Sequence, residues 1–198
     1  MLFPGNLASY NEAMDATCLQ SQTQSKHNKP LVGVSSCLMG MAVRYDGQHK
    51  FQATLQELIA PHVQLLPLCP ESMAGMGIPR PPVNLIQDGA LIRAVGRDDP
   101  QRDVTERLRT MGRITGRVYP DLCGYILQSR SPSCGFQTTP IFNADQSEVL
   151  HAGNGLFVAE LLNLFPDLPI LDDRQMNQNQ INLFLENVRK RASSFEHE

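Results

Sequence analysis

No stretch of the chain approaches the roughly 20 consecutive apolar residues that a membrane-spanning helix needs, which sets aside integral membrane proteins of the helical kind. The first residues lack the basic-then-apolar order of a secretory signal, so a cytoplasmic location is expected. Excess charge is missing too. With 17 Lys and Arg against 20 Asp and Glu the formal net charge is -3, which calls for neither a nucleic-acid backbone nor an anionic lipid surface. The basic residues between Arg93 and Arg117 are interleaved with Asp98, Asp99, Asp103 and Glu106, the mixture of a solvated helix face. Five cysteines, an odd number in a chain long enough to fold without crosslinks, argue against a disulfide framework and for reduced thiols. No internal repeat is present.

At 198 residues, 41% of them hydrophobic, the chain has material for one compact core. Residues 1–29 are polar and rich in Asn, Gln and Ser, which predicts an N-terminal extension ahead of a folded domain spanning 30–198. From Pro30 the character changes: Leu31, Val32 and Val34 make a short, mostly β-branched run of the kind found in buried parallel strands. Phe51, Leu55, Leu58 and Ile59 predict a helix over 51–60 that stops at Pro61, and a strand follows over 63–68. Three prolines and two glycines make 73–84 an irregular, ordered loop, and Asp88-Gly89 centres a hairpin over 85–96.

A helix over 103–118 is expected to use Val104, Leu108, Met111 and Ile114 as its apolar stripe, and 124–127 reads as a third strand. An apolar helix over 155–165, a strand over 168–171 and an amphipathic helix over 175–191 complete the pattern. Strands alternating with helices predict an α/β fold: a mostly parallel, Rossmann-like sheet flanked by helices in a single compact domain.

Ligands in such folds sit beyond the carboxyl ends of the strands. Cys37 follows the first strand, Cys69 the second and Cys134 the third, so three thiolates are expected on one sheet edge. A metal or cluster held by three thiolates keeps one coordination position for substrate.

Several separate motifs then carry a resemblance. Val34-Ser35-Ser36-Cys37-Leu38-Met39-Gly40, Val43-Arg44-Tyr45-Asp46-Gly47, Cys69-Pro70-Glu71, Arg80-Pro81-Pro82, Asp103-Val104-Thr105, Ser129-Arg130-Ser131-Pro132-Ser133-Cys134-Gly135 and Gly153-Asn154-Gly155 occur in the order seen in the thiouracil desulfidase (TudS) family. The chain resembles that family over about residues 31–171. The resemblance implies a [4Fe-4S] cluster ligated by Cys37, Cys69 and Cys134, with one iron left open for the sulfur of a thiolated pyrimidine base. It also implies a non-redox hydrolysis of 2-thiouracil or 4-thiouracil to uracil and hydrogen sulfide, with Glu71 as general base and Ser131 as the assisting hydroxyl. Ser129 and Ser133 are alternatives for that hydroxyl. Cys18 lies in the polar arm and Cys123 precedes a strand at the far end, so both are expected to be ordinary thiols.

Arg44, Tyr45 and Asp46 read equally as base contacts and as a tight turn, and Arg80 either orients substrate or pins its loop. Gly153-Asn154-Gly155 ahead of an apolar helix has the look of an anion cradle, a weak signal alone. His49, His62 and His151 share no ligand spacing. The family more often has an aspartate where this chain has Asn154, and a basic residue where it has Gln128. Three other readings stand beside the first: a transfer RNA thiouridine desulfidase, for which a small acidic chain offers little grip; a non-catalytic zinc protein; and a sulfur carrier. A free small-molecule thiolated base is the expected partner.

Overall fold

The computed structural model of the chain describes residues 29–195, so the N-terminal extension predicted over 1–29, with Cys18, lies almost wholly outside the described residues. Four strands form a wholly parallel sheet in the order β2-β1-β5-β8: β1 (Leu31–Ser35), β2 (Gln64–Leu68), β5 (Gly124–Leu127) and β8 (Ile170–Asp172). Both neighbours of β1 run parallel to it, which explains its apolar sequence: Val32 and Val34 are buried on one face, and Gly33 faces the other. A Cβ at Gly33 would overlap the ring of Tyr125 on β5, so the glycine there makes room for an aromatic neighbour.

Between β1 and β2, the predicted helix over 51–60 is reduced to a single wide turn, Leu55–Ile59, closed by the Ala60 N–H on the Leu55 carbonyl. Leu55 and Ile59 reach the core while Phe51 and Leu58 stay exposed, too few buried positions to hold a longer helix. The first regular helix, α1 (Pro70–Met73), is one turn following β2, with Pro70 at its start.

A second sheet was not foreseen as such. Its hairpin, β3 (Val83–Asp88) and β4 (Leu91–Gly96), forms where Asp88-Gly89 predicts it. Its other half, β6 (Thr139–Phe142) and β7 (Val149–Gly153), carries no strong signal: β7 is exposed almost throughout and has no buried alternation to read.

Helices α2 (Thr105–Val118) and α3 (Leu156–Leu164) lie between the two sheets and contribute to a core on each side, with Met111 packed against both. The predicted stripe on α2 is corrected at Ile114, which is 44% exposed. The helix instead turns Gly112 and Gly116 toward α3, where a Cβ would strike Phe157, Glu160 or Leu164. Small residues four apart let two backbones approach closely. On the opposite face of the parallel sheet, α4 (Gln178–Phe195) buries Ile181, Phe184, Leu185 and Val188 as its periodicity requires. No helix among the described residues is long and apolar enough to cross a membrane.

Candidate active site

Because all four strands of the first sheet point the same way, the segments after Ser35, Leu68, Leu127 and Asp172 emerge along one edge. The first three of these segments line a cavity of about 440 Å³ that contains the five residues singled out from sequence: Cys37, Cys69, Glu71, Ser131 and Cys134. Cys123 is buried at the start of β5, among the α4 core residues, and does not line it.

The thiols are within electrostatic range of one another. Burial first, and then the neighbouring Cys134, push the Cys37 thiol up to about 12; burial likewise pushes Cys134 up to about 11. Neither is a thiolate at neutral pH without a cation beside it, so a bound metal must displace their protons. Among the described residues, no three Cys, His, Asp or Glu side chains close to the spacing of a single metal ion. All three thiols line the cavity.

Cys37 sits in a 3-10 turn, Ser36–Met39, ended by Gly40 in the left-handed conformation at φ 90°. Cys69 immediately precedes α1, and Ser72 on that helix places its Oγ 3.2 Å from the Cys69 sulfur. One turn of α1 also fixes Glu71 at the cavity wall. Each carboxylate oxygen has a partner: Oε2 accepts from Arg80 Nε at 2.7 Å and Oε1 accepts from Ser133 Oγ at 2.9 Å. Arg80 is buried and donates as well to the carbonyls of Val43 (2.9 Å) and Gly77 (3.0 Å). It pins its loop, as one of the two readings of its sequence context has it, and it also holds the carboxylate.

Ser131 is one hydroxyl further from the carboxylate. Its Oγ lies 3.1 Å from Ser133 Oγ and accepts the backbone N–H of Cys134 at 3.1 Å and of Ser133 at 3.3 Å. With those lone pairs occupied, its proton points to Ser133, whose own proton points to Glu71. Ser129 also lines the cavity, and its backbone N–H donates to Asp173 Oδ1 at 2.9 Å. Sequence reasoning left Ser133 as an alternative because the serine-rich motif offers three hydroxyls and its spacing ranks none of them.

The Gly153-Asn154-Gly155 segment is no anion cradle. The N–H groups of Gly155, Leu156 and Val158 are taken by the carbonyls of Gly135, Pro132 and Ser133, so the start of α3 grips the loop that carries Cys134. Asn154 Oδ1 accepts from the Gln137 N–H at 2.8 Å. A Cβ on Gly155 would overlap the Ser133–Cys134 peptide. Gly155→Ala is therefore expected to cost about 1–3 kcal/mol, a Tm drop of roughly 2–12 °C in calorimetry; an unchanged Tm would show that the loop relaxes freely.

At the mouth, Arg44 donates to Gln128 Oε1 at 2.9 Å, pairs with Asp46 and stacks on the Tyr45 ring at 5.5 Å. The Gly47 N–H closes the turn on the Arg44 carbonyl. The segment is a turn, and of its residues Arg44 and Tyr45 line the cavity while Asp46 does not. His49, His62 and His151 are exposed and stand apart from the cavity.

An α/β protein with three thiols and a braced carboxylate at the carboxyl edge of its parallel sheet is the class these features define. A family model described as 2-thiouracil desulfurase matches residues 32–173, and the chain belongs to that family. The YbbK protein of Bacillus subtilis (strain 168), described as uncharacterized, is 30% identical over 143 residues, 66% of this chain and 89% of YbbK. A solved structure described as the [4Fe-4S]-dependent thiouracil desulfidase TudS is similar at a TM-score of 0.63 and 29% identity, covering 80% of this chain and 99% of that one.

Proposed function

We propose that the chain is an iron-sulfur desulfidase that converts 2-thiouracil or 4-thiouracil to uracil and hydrogen sulfide by hydrolysis, its activity residing in the domain 30–198 that follows the 1–29 extension. The observation that carries this reading is the meeting of Cys37, Cys69, Cys134 and Glu71 on one cavity, in a member of the 2-thiouracil desulfurase family that is similar to a [4Fe-4S]-dependent enzyme.

The donor set fits such a cluster. Three soft sulfur donors suit iron-sulfur chemistry, and they line a volume within the range of ligand pockets. Cys37, Cys69 and Cys134 would hold the group. When bound, it supplies a soft Lewis acid at the iron without a cysteine, withdrawing electron density from the thiocarbonyl carbon.

The remaining work belongs to the chain's own side chains. Glu71 accepts the proton of the attacking water, directly or along the hydroxyl series Ser131, Ser133, Glu71, whose donors already point toward the carboxylate. Arg80 keeps the carboxylate aimed into the cavity. Water adds to the carbon, the carbon–sulfur bond breaks and both of water's protons end on sulfur, one returned by Glu71 and one released by the new hydroxyl as it becomes the carbonyl, so a thiocarbonyl and water become a carbonyl and hydrogen sulfide with no electrons transferred. Ser131 and Ser133 share the assisting role, with Ser133 nearer the base.

Isolation without oxygen tests the reading. The expected protein is brown, carries about four iron and four sulfide per chain, and erases the long-wavelength ultraviolet band of 4-thiouracil while releasing an equal amount of sulfide. A colourless protein with one zinc and no turnover would overturn it.

A further inference from the structure

Beneath the thiols lies a hydroxyl that the hydrolysis does not use. Tyr125 is 0% exposed, packed at 5.8 Å between ring centroids against Phe157 and fitted into the space that Gly33 leaves. A phenol so buried needs hydrogen-bond partners. Its oxygen stands 3.9 Å from Cys134 Sγ, and the Ser35 hydroxyl is its other neighbour.

Counting protons decides which hydroxyls serve the sulfur. Ser133 Oγ is 3.7 Å from Cys134 Sγ, but its single proton goes to Glu71 over the shorter bond to the stronger acceptor. Ser35 Oγ accepts from the Gln128 N–H at 3.1 Å and keeps its own proton for the Tyr125–Cys134 pair. A thiolate only accepts hydrogen bonds. Once Cys134 binds iron, Tyr125 can donate to it beside Ser35, as Ser72 donates to Cys69 at 3.2 Å.

We propose that Tyr125 is a positioning residue that hydrogen-bonds the Cys134 sulfur in the loaded protein, with Ser72 doing the same for Cys69. These hydroxyls draw electron density off the ligand sulfurs, stabilise the more reduced cluster and hold the ligands in place. The inference rests on the three-cysteine reading above.

Tyr125→Phe removes the hydroxyl and keeps the ring. In the anaerobically loaded full chain it is expected to move the midpoint potential to a more negative value and to speed iron release to EDTA by roughly 10-fold. Ser72→Ala is expected to shift both in the same direction by less, and it decides by the same two readings if Tyr125→Phe does not fold. A brown Tyr125→Phe protein with unchanged potential and unchanged iron release overturns this inference alone. A full chain that takes up no cluster overturns it together with the proposed function.

Discussion

Glu71→Gln is expected to leave the anaerobic protein brown while lowering kcat by roughly 10²–10⁴-fold, the usual weight of a general base. The substitution is close to isosteric, and Glu71 makes no bond to a cysteine sulfur: its partners are Arg80 and Ser133. What changes is the polarity of the hydroxyl series. The amide can still offer its oxygen to Arg80, but it then presents an N–H donor to Ser133, which must accept where it previously donated. The series ends without a proton sink.

The same change leaves Arg80 without a charged partner, though the Val43 and Gly77 carbonyls still accept from it. A stability loss of about 1–3 kcal/mol is expected from that cause, visible as a lower Tm. Stability and catalysis separate cleanly, because turnover is read well below the Tm. A fall in kcat with KM nearly constant marks a group acting in the chemical step. Full turnover in Glu71→Gln would reject the base assignment, whereas loss of iron would move Glu71 from base to ligand.

The parts of the site that follow strands were legible in the chain because period and position coincide there. Val32 and Val34 announce β1, and Cys37 two residues beyond its end must then lie on the carboxyl edge; the same logic serves Cys69 after β2. Helix α4 was legible because all four of its predicted apolar residues face one core. The hydroxyl that touches Glu71 was not, because Ser131 and Ser133 differ in role through a backbone turn that gives Ser131 two N–H donors. Nor was the use of the α3 N-terminus, whose N–H groups are consumed by a loop about 20 residues earlier; apolar periodicity carries no information about that pairing. Gly112 and Gly116 mislead in a related way, since a packing face made of absent side chains has no hydrophobic signal.

Cys134→Ser is expected to reduce iron from about four per chain to less than about one, abolish the broad visible absorption and bring thiouracil turnover to background. Serine's hydroxyl is a harder donor and loses its proton far less readily than a thiol, so it replaces thiolate poorly on iron. The fold is expected to persist. Cys134 sits among Ser133, Tyr125 and Ser35, whose hydroxyls can all partner a new one, so the substitution strands no buried polar atom. Far-ultraviolet circular dichroism should therefore match that of the unsubstituted chain after its cluster is removed. Cys123→Ser supplies the contrast: that thiol donates to the Asp121 carbonyl at the opposite end of β5, and its loss is expected to leave iron content and turnover unchanged. A Cys134→Ser protein that keeps its iron and its activity, or a Cys123→Ser protein that loses them, would show that the wrong set of sulfurs has been assigned to the cluster.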